Sequence, residues 1–284
     1  QRAGWLQRFV TTIFDRRETG IPAEKIAQIR LPAYAAQLIG MLPFAGSQAW
    51  SYYMGDNWFD RAASRYAAEA DIYHAFNHHA LYGLRAAKKY GAVTIVERSS
   101  AHPNVQQAIL REEFARFGLP YPAGNRRLEA KHVKEYAEAD WIMVPSEFVY
   151  RTMVAQGVPA ARLRQVHLGF APEHFYPGEK TDSVFRVIFV GALSLQKGLQ
   201  YLLEGYKLAN LPPERSELLV VGEPFEDARA FLPGYEGLYR RLRYVPNDEL
   251  VKVYQTGSVF VLPSLQDGFG MVVYEAAACG LPVL

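Results

Sequence analysis

The most informative stretch of this sequence is Asp267-Gly268-Phe269-Gly270-Met271-Val272-Val273-Tyr274-Glu275-Ala276-Ala277-Ala278-Cys279-Gly280-Leu281-Pro282. It predicts a helix that starts after Gly270 and ends at Gly280, because glycine followed by proline is a typical helix stop. Glu275 is surrounded by apolar residues, and a helix that is apolar on all sides is expected to be buried. A buried carboxylate needs a hydrogen-bond partner, which the vicinal hydroxyls of a ribose would supply. Glycine-flanked N–H groups at the start of the helix would suit a phosphate.

A simpler interpretation of the same stretch stays open. Asp267 would then only cap the helix, and Glu275 would belong to a buried ion pair. The lone Cys279 is most simply a small buried apolar residue, and it excludes a disulfide framework.

Length and composition predict a two-domain globular protein. The chain has 284 residues, of which 50% are hydrophobic, and its net charge is +2 with both signs interspersed. Nothing in this balance calls for a nucleic-acid partner, and we find no signal peptide. The apolar window from Leu31 to Trp50 is interrupted by prolines and glycines, so it is a poor transmembrane helix. Both ends look cut, so we expect a fragment of a longer protein.

Strands and helices alternate along the chain, which predicts parallel sheets with helices on both faces. We expect a first domain over 1–170, a linker over 171–183 that is rich in proline and glycine, and a second domain over 184–284. The principal predicted strands are Ala70–Phe76, Ala92–Val96, Trp141–Val144, Val184–Val190, Leu218–Val221 and Val259–Leu262. The principal predicted helices are Tyr82–Tyr90, Arg126–Ala139, Ser146–Gly157 and Leu199–Ala209.

Polar residues follow several predicted strands, where ligands bind in open α/β sheets. Lys197 and Gly198 stand at a strand-to-helix junction that could hold an anion, although an ordinary turn with a solvated lysine explains them as well. His102 lies in the loop after Val96, where a histidine without a task is an equal alternative. His74, His78 and His79 lack the spacing of a metal site, so we expect none there.

At this point the sequence resembles the retaining nucleotide-sugar glycosyltransferases of family 4. Asp267 and Glu275 match the Glu-x7-Glu motif of that family, and Val190-Gly191 through Lys197-Gly198 resembles its phosphate-contacting loop. The segment from Ala139 to Ser146 resembles the end of its first domain. The resemblance covers residues 70–284 and implies the GT-B fold, an α/β architecture of two Rossmann-like domains with parallel sheets that face each other across a cleft.

The resemblance also implies a role for each matching residue. Glu275 would hold the ribose hydroxyls, Asp267 the hydroxyls of the donor sugar, and Lys197 the diphosphate leaving group. His102 matches a histidine near the donor sugar. Gly191 and the backbone of four consecutive residues complete the expected donor site: Gly268, Phe269, Gly270 and Met271.

Three positions depart from the family pattern. Ala192 stands where the family often has Arg, which removes one positive charge from the phosphate site. Asp267 is one methylene shorter than the usual Glu. Leu168-Gly169-Phe170 replaces the usual Asn-Gly at the domain junction.

The function implied is transfer of a sugar from a nucleotide-diphosphate donor to a hydroxyl acceptor, with the anomeric configuration retained. No cofactor or metal is expected besides the nucleotide sugar, and the acceptor is a glycan, a lipid-linked molecule or a small molecule. The location expected is the cytoplasm, with peripheral contact at the inner face of the membrane among the alternatives. The aromatic segment from Leu31 to Trp58 fits a lipid-linked acceptor or a buried helix pair equally well. A nucleotide-sugar epimerase, a phosphorylase or a non-catalytic binding scaffold on the same architecture stays open as an alternative.

Overall fold

The computed structural model describes residues 6–11, 21–42, 47–122, 126–170 and 172–284. The chain forms two compact units. The first unit comprises Gln1–Ser99 and Pro122–Val166, and the second comprises Ser100–Tyr121 and His167–Leu284. The second unit therefore includes residues 100–121 and 167–170, which the sequence predicts to belong to the first domain. Residues 1–5 at the expected cut end, 43–46 in the aromatic segment and 171 at the start of the expected linker lie outside the described residues.

Within each unit, most strands of the four-stranded sheet are followed by a helix, as the sequence predicts. The strands are β1 (Phe9–Thr11), β2 (Ile26–Gln28), β3 (Ile72–Phe76), β4 (Val93–Glu97), β5 (Trp141–Val144), β6 (Leu163–Gln165), β7 (Phe185–Val190), β8 (Ser216–Val221), β9 (Arg240–Leu242) and β10 (Val259–Phe260). The α-helices are α1 (Leu31–Gly40), α2 (Ser47–Ala63), α3 (Leu81–Lys89), α4 (Pro103–Arg116), α5 (Arg126–Glu138), α6 (Glu147–Ala155), α7 (Leu199–Ala209), α8 (Glu226–Phe231), α9 (Leu250–Gln255) and α10 (Met271–Ala278).

The sheets confirm the predicted parallel architecture. In the first unit four strands pair in the order β3-β4-β5-β6, and in the second four pair in the order β10-β7-β8-β9. The pairings within both sheets are parallel. Strands β1 and β2 form a separate parallel pair. The sequence does not predict the short strands β1, β2, β6 and β9, nor helices α4, α8 and α9.

Strand β7 is an inner strand of the sheet in the second unit, and from Val187 to Val190 it is apolar on both faces. Ile188 and Val190 pack into one core cluster, and Val187 and Phe189 pack into another. Successive side chains of a strand point to opposite faces, so a strand covered on both sides reads as an unbroken apolar run. This is why the sequence predicts β7 so clearly. The expected linker over 171–183 also belongs to the second unit, and Phe175 is buried in the same cluster as Ile188.

Helices α1 and α2 pack against each other and form the helix pair considered for the aromatic segment. The alternative of a buried helix pair does not hold for the whole pair. Leu38 is 67% exposed and Met41 is 80% exposed, although both are large and apolar. Within the described residues, no helix combines the length and the apolar character needed to span a membrane.

Candidate nucleotide-sugar site

The junction between β7 and α7 is built from glycines that permit close backbone approach. Gly198 adopts the left-handed conformation, with φ 69° and ψ 18°, between the 3-10 turn Leu195–Lys197 and α7. A Cβ atom at Gly198 would lie 1.8 Å from the carbonyl oxygen of Pro263. Only glycine fits there, because other residues would meet both steric overlap and an unfavourable φ. Gly198 thereby brings the lysine-bearing turn against the loop that leads to α10.

That approach lets Lys197 and Asp267 meet. The Lys197 Nζ atom lies 2.5 Å from the Asp267 Oδ2 atom, and both side chains are largely shielded from solvent. The other carboxylate oxygen, Oδ1, accepts a hydrogen bond of 2.8 Å from the backbone N–H of Gly268. Asp267 is therefore held at both oxygens despite its short side chain. Lys197 and Asp267 stand 70 positions apart in the sequence, and the fold brings them into direct contact.

Glu275 is buried, as predicted, but its partner was not foreseen. Only 7% of its surface is exposed, and its Oε2 atom accepts a hydrogen bond of 2.9 Å from the hydroxyl of Tyr254 on α9. Burial, followed by the nearby Glu275 carboxylate, holds the pKa of Tyr254 well above its usual range, so Tyr254 remains a donor. Among the described residues, Tyr254 is the only one that hydrogen-bonds the Glu275 side chain. The second oxygen, Oε1, therefore remains available.

The expectation that α10 is buried on all sides is wrong. Tyr274 is 43% exposed, whereas Glu275, Ala276 and the following Cys279 are buried. The helix covers its unit with one face, so its apolar composition does not require burial all round. Outside that face, the Tyr274 ring stacks on Phe269, with centroids 4.7 Å apart and planes within 5°. The stack with Phe269 thus covers part of the apolar surface of the half-exposed Tyr274 ring.

The start of α10 has the predicted glycine geometry. Gly270 caps the helix with φ 61° and ψ 58°, and Met271 is the first helical residue. The ring of Phe269 also lies near His167, with centroids 5.7 Å apart. Gly191 directly follows β7, and Gly222 directly follows β8. If Gly222 carried a side chain, its Cβ atom would lie 1.9 Å from the carbonyl oxygen of Gly191. The ends of β7 and β8 therefore approach too closely for a side chain at Gly222.

His102 belongs to the second unit and caps α4. Its Nδ1 atom accepts a hydrogen bond of 3.3 Å from the Asn104 N–H, and the residue is 4% exposed. Ser100, two positions earlier, donates a 3.2 Å hydrogen bond to Gln266, the neighbour of Asp267. Further along α4, the buried Glu113 accepts hydrogen bonds of 2.9 Å from both Gln200 and Tyr201 of α7. The fold thus ties the segment that carries His102 to the Lys197–Asp267 region.

A comparison with protein families finds a match within the second unit. Residues 184–284, which contain β7, Lys197, Asp267 and Glu275, match the family model described as glycosyl transferases group 1. These residues therefore resemble a glycosyl transferases group 1 domain. The chain is also 30% identical, over 227 residues, to sulfoquinovosyl transferase SQD2 of Arabidopsis thaliana. That match covers 75% of this chain and 42% of the plant protein, so the chain spans less than half of that relative.

Solved structures extend the likeness beyond the group 1 domain. Sucrose-phosphate synthase of Thermosynechococcus elongatus superposes with a TM-score of 0.68 at 19% identity, covering 99% of this chain and 71% of that protein. HepE of Anabaena, crystallised with UDP and glucose, gives a TM-score of 0.60 at 16% identity and covers 91% and 66%. At such low identity these likenesses concern the fold. They show that the chain has a GT-B type α/β fold.

Sequence reasoning missed the groups that hold the site residues in place. Tyr254 stands on a short helix whose apolar spacing predicts a core residue, and nothing local shows that its hydroxyl reaches a carboxylate. The contact between Ser100 and Gln266 joins positions 166 apart. Among the described residues, no group of three or more His, Cys, Asp and Glu side chains could hold a metal ion. His74, His78 and His79 are among the residues searched.

Proposed function

We propose that this protein is a glycosyltransferase that moves a sugar from a nucleotide-diphosphate donor to a hydroxyl acceptor, with retention at the anomeric carbon. The observation that carries the proposal is the placement of Lys197, Asp267 and Glu275 within the group 1 domain. The donor class is supported by HepE, which has been crystallised with UDP and with UDP-glucose. The family 4 resemblance of the motif supports the retaining outcome.

Glu275 would bind the ribose of the donor. Its Oε2 atom is engaged by Tyr254, which fixes the orientation of the carboxylate. The Oε1 atom would then accept a hydrogen bond from a ribose hydroxyl. A hydrogen bond to a charged acceptor in a buried site is worth about 1.5–3 kcal/mol, so this contact alone would contribute substantially to donor affinity.

Lys197 would stabilise the diphosphate as it leaves. In the structure its charge is balanced by Asp267 at 2.5 Å. A diphosphate would compete for the ammonium group, and Asp267 would then be released to accept hydrogen bonds from the sugar. Negative charge grows on the diphosphate as the glycosidic bond breaks, so a fixed cation lowers the barrier. With Ala192 in place of Arg, Lys197 would carry a larger share of this stabilisation.

The proposed transfer needs no resident metal ion, since Lys197 and the backbone N–H groups at the start of α10 would meet the diphosphate. Gly191, Gly268, Phe269, Gly270 and Met271 would line this donor site, and His102 would act near the sugar. Binding and turnover after treatment with a chelator test this part of the proposal. Full activity without added metal is expected.

Substitution of Lys197 tests the proposal against a matched control. We expect nucleotide sugars to stabilise the chain against heat and to yield free nucleotide diphosphate when an acceptor is present. Lys197→Met should lower kcat/KM by at least about tenfold. Lys207→Met, on the exposed side of α7, removes the same charge from the same unit and should leave turnover unchanged. Equal rates in the two variants would refute the role of Lys197, and nucleotide binding without any turnover would favour a binding scaffold.

A further inference from the structure

The first unit contains a groove between α1 and α2 that the donor site does not use. Its volume is about 450 Å³. The residues that line it include Pro32, Ala33, Ala36, Phe59, Asp56 and His79. Met41 and Tyr52 also line it, and they are 80% and 65% exposed. Ligand sites in proteins are typically mostly apolar clefts of roughly 300–1,000 Å³ with a few polar groups, and the groove has this character.

Asp56 is the acidic residue among those that line the groove. Its side chain is 16% exposed, and the Nδ1 atoms of His79 and His78 lie 3.6 and 3.8 Å from its oxygens, beyond hydrogen-bond distance. In the described part of the chain, no residue donates a hydrogen bond to its carboxylate. Burial, opposed by the charge of Lys131, raises the pKa of Asp56 to about 7. A buried acceptor without a donor is costly, so such groups usually meet a ligand or water.

The nearby buried cation is engaged elsewhere. The Nζ atom of Lys131 lies 2.9 Å from Asp60 and donates a 2.7 Å hydrogen bond to the carbonyl oxygen of His78. Asp60 is fully buried and also accepts hydrogen bonds from the N–H groups of Tyr82 and Gly83 at the start of α3. Lys131 therefore stabilises the start of α3. The Asp56 carboxyl group lines the groove, and no described residue donates a hydrogen bond to it.

We propose that this groove binds the hydrocarbon chain of a hydroxyl-bearing amphiphile, whose hydroxyl group donates a hydrogen bond to Asp56. The apolar residues of the lining suit the hydrocarbon chain, and the Asp56 carboxylate suits one hydroxyl. The exposed Met41 and Tyr52 would be covered by the part of the chain that extends outside. That this amphiphile is the sugar acceptor rests on the proposed function, whereas binding itself does not.

The test uses 1-O-decylglycerol below its micellar concentration and follows the fluorescence of the full chain. Trp50 and Trp58 on α2 provide the signal. Saturable binding with a blue shift is expected. The dimethyl ether of the same compound keeps the chain but cannot donate a hydrogen bond, so its affinity should be about tenfold lower.

Three variants locate the site. Ala33→Phe fills the groove and should abolish binding, whereas Ala35→Phe, on the same helix but outside the lining, should not. Asp56→Leu should weaken binding of decylglycerol about tenfold and leave binding of the dimethyl ether unchanged. Equal affinity of the two ligands for the unmodified chain, or binding that survives Ala33→Phe, would overturn the proposal.

Vesicles and donors separate the competing explanations. Binding to phosphatidylcholine vesicles without any binding of monomeric decylglycerol would overturn the proposal in favour of peripheral membrane contact. The decylglycerol assay contains no nucleotide sugar, so it tests the groove alone. If the chain binds decylglycerol but neither binds nor turns over nucleotide sugars, the groove proposal stands and the proposed function is refuted. If decylglycerol does not bind and sugar is transferred only to acceptors without a hydrocarbon chain, the groove proposal is refuted and the proposed function stands.

Discussion

Removing the hydroxyl of Tyr254 is the sharpest test of how the buried Glu275 is held. In Tyr254→Phe the ring still fills its place among Phe175 and Phe260, so the change is confined to one hydrogen bond. That bond is 2.9 Å long, and both residues are buried, with exposures of 0% and 7%. A hydrogen bond to a charged group contributes about 1.5–3 kcal/mol, so we expect a loss near 2 kcal/mol, or about thirtyfold in the unfolding equilibrium.

Hydrogen exchange resolves this loss by unit. Amides of α10 should exchange about thirtyfold faster in Tyr254→Phe, provided that exchange follows the opening equilibrium. Residues 100–121 and 167–284 contain no tryptophan, so urea unfolding followed by tryptophan fluorescence reports the first unit and should be unchanged. This separates a local loss from general destabilisation.

Two further variants make the result decisive. Tyr206→Phe deletes the same atom in the same unit, but its partner is the neutral hydroxyl of Ser216 at 3.3 Å, so about 1 kcal/mol or less is expected. In a double-mutant cycle, Glu275→Leu should remove most of the effect of Tyr254→Phe, because no buried carboxylate is then left without a donor. Additive losses in that cycle, or equal losses in the two tyrosine variants, would refute the reasoning.

Other outcomes follow from glycine geometry, burial and titration. Gly198→Ala should destabilise the second unit by about 3 kcal/mol or more, because the new Cβ would lie 1.8 Å from the Pro263 oxygen at a φ of 69°; a loss under 1 kcal/mol in urea would contradict this. Cys279 is buried, and burial raises its pKa, so iodoacetamide should label the native chain at least about a hundredfold more slowly than the unfolded chain; comparable rates would show that the thiol is accessible. The folded pKa of Asp56, about 7, lies above its ordinary value of 3.8, so the folded state binds this proton more tightly and the contribution of Asp56 to stability declines as pH rises from about 4 to 7. The gain in stability of Asp56→Asn over the parent chain should therefore grow across this range by on the order of 2 kcal/mol; His78, whose pKa is lowered to about 4, acts in the opposite direction in both chains. A gain that shrinks with pH in urea titrations would show that the shift has the other sign.

Sequence patterns predicted the architecture well where one strand or helix carries its own signal. From Val187 to Val190, β7 is an unbroken apolar run whose two faces are both covered, and α10 is bracketed by glycines at both ends. Helix α4 was missed because its start is hidden in a polar loop after β4 and its apolar spacing is weak. The same helix belongs to the second unit although its neighbours in the chain belong to the first, which no local pattern could show.

The sequence by itself determined the parallel α/β architecture and the identity of the charged residues in the candidate donor site. Alternation of apolar runs and the chemistry of glycine, lysine and carboxylates are local properties, and they are legible in a linear chain. Only the tertiary structure decided which groups meet: Lys197 with Asp267, Tyr254 with Glu275, and Asp56 with a groove rather than a donor. Such contacts join residues far apart in the chain, and they depend on packing geometry that no stretch of sequence contains.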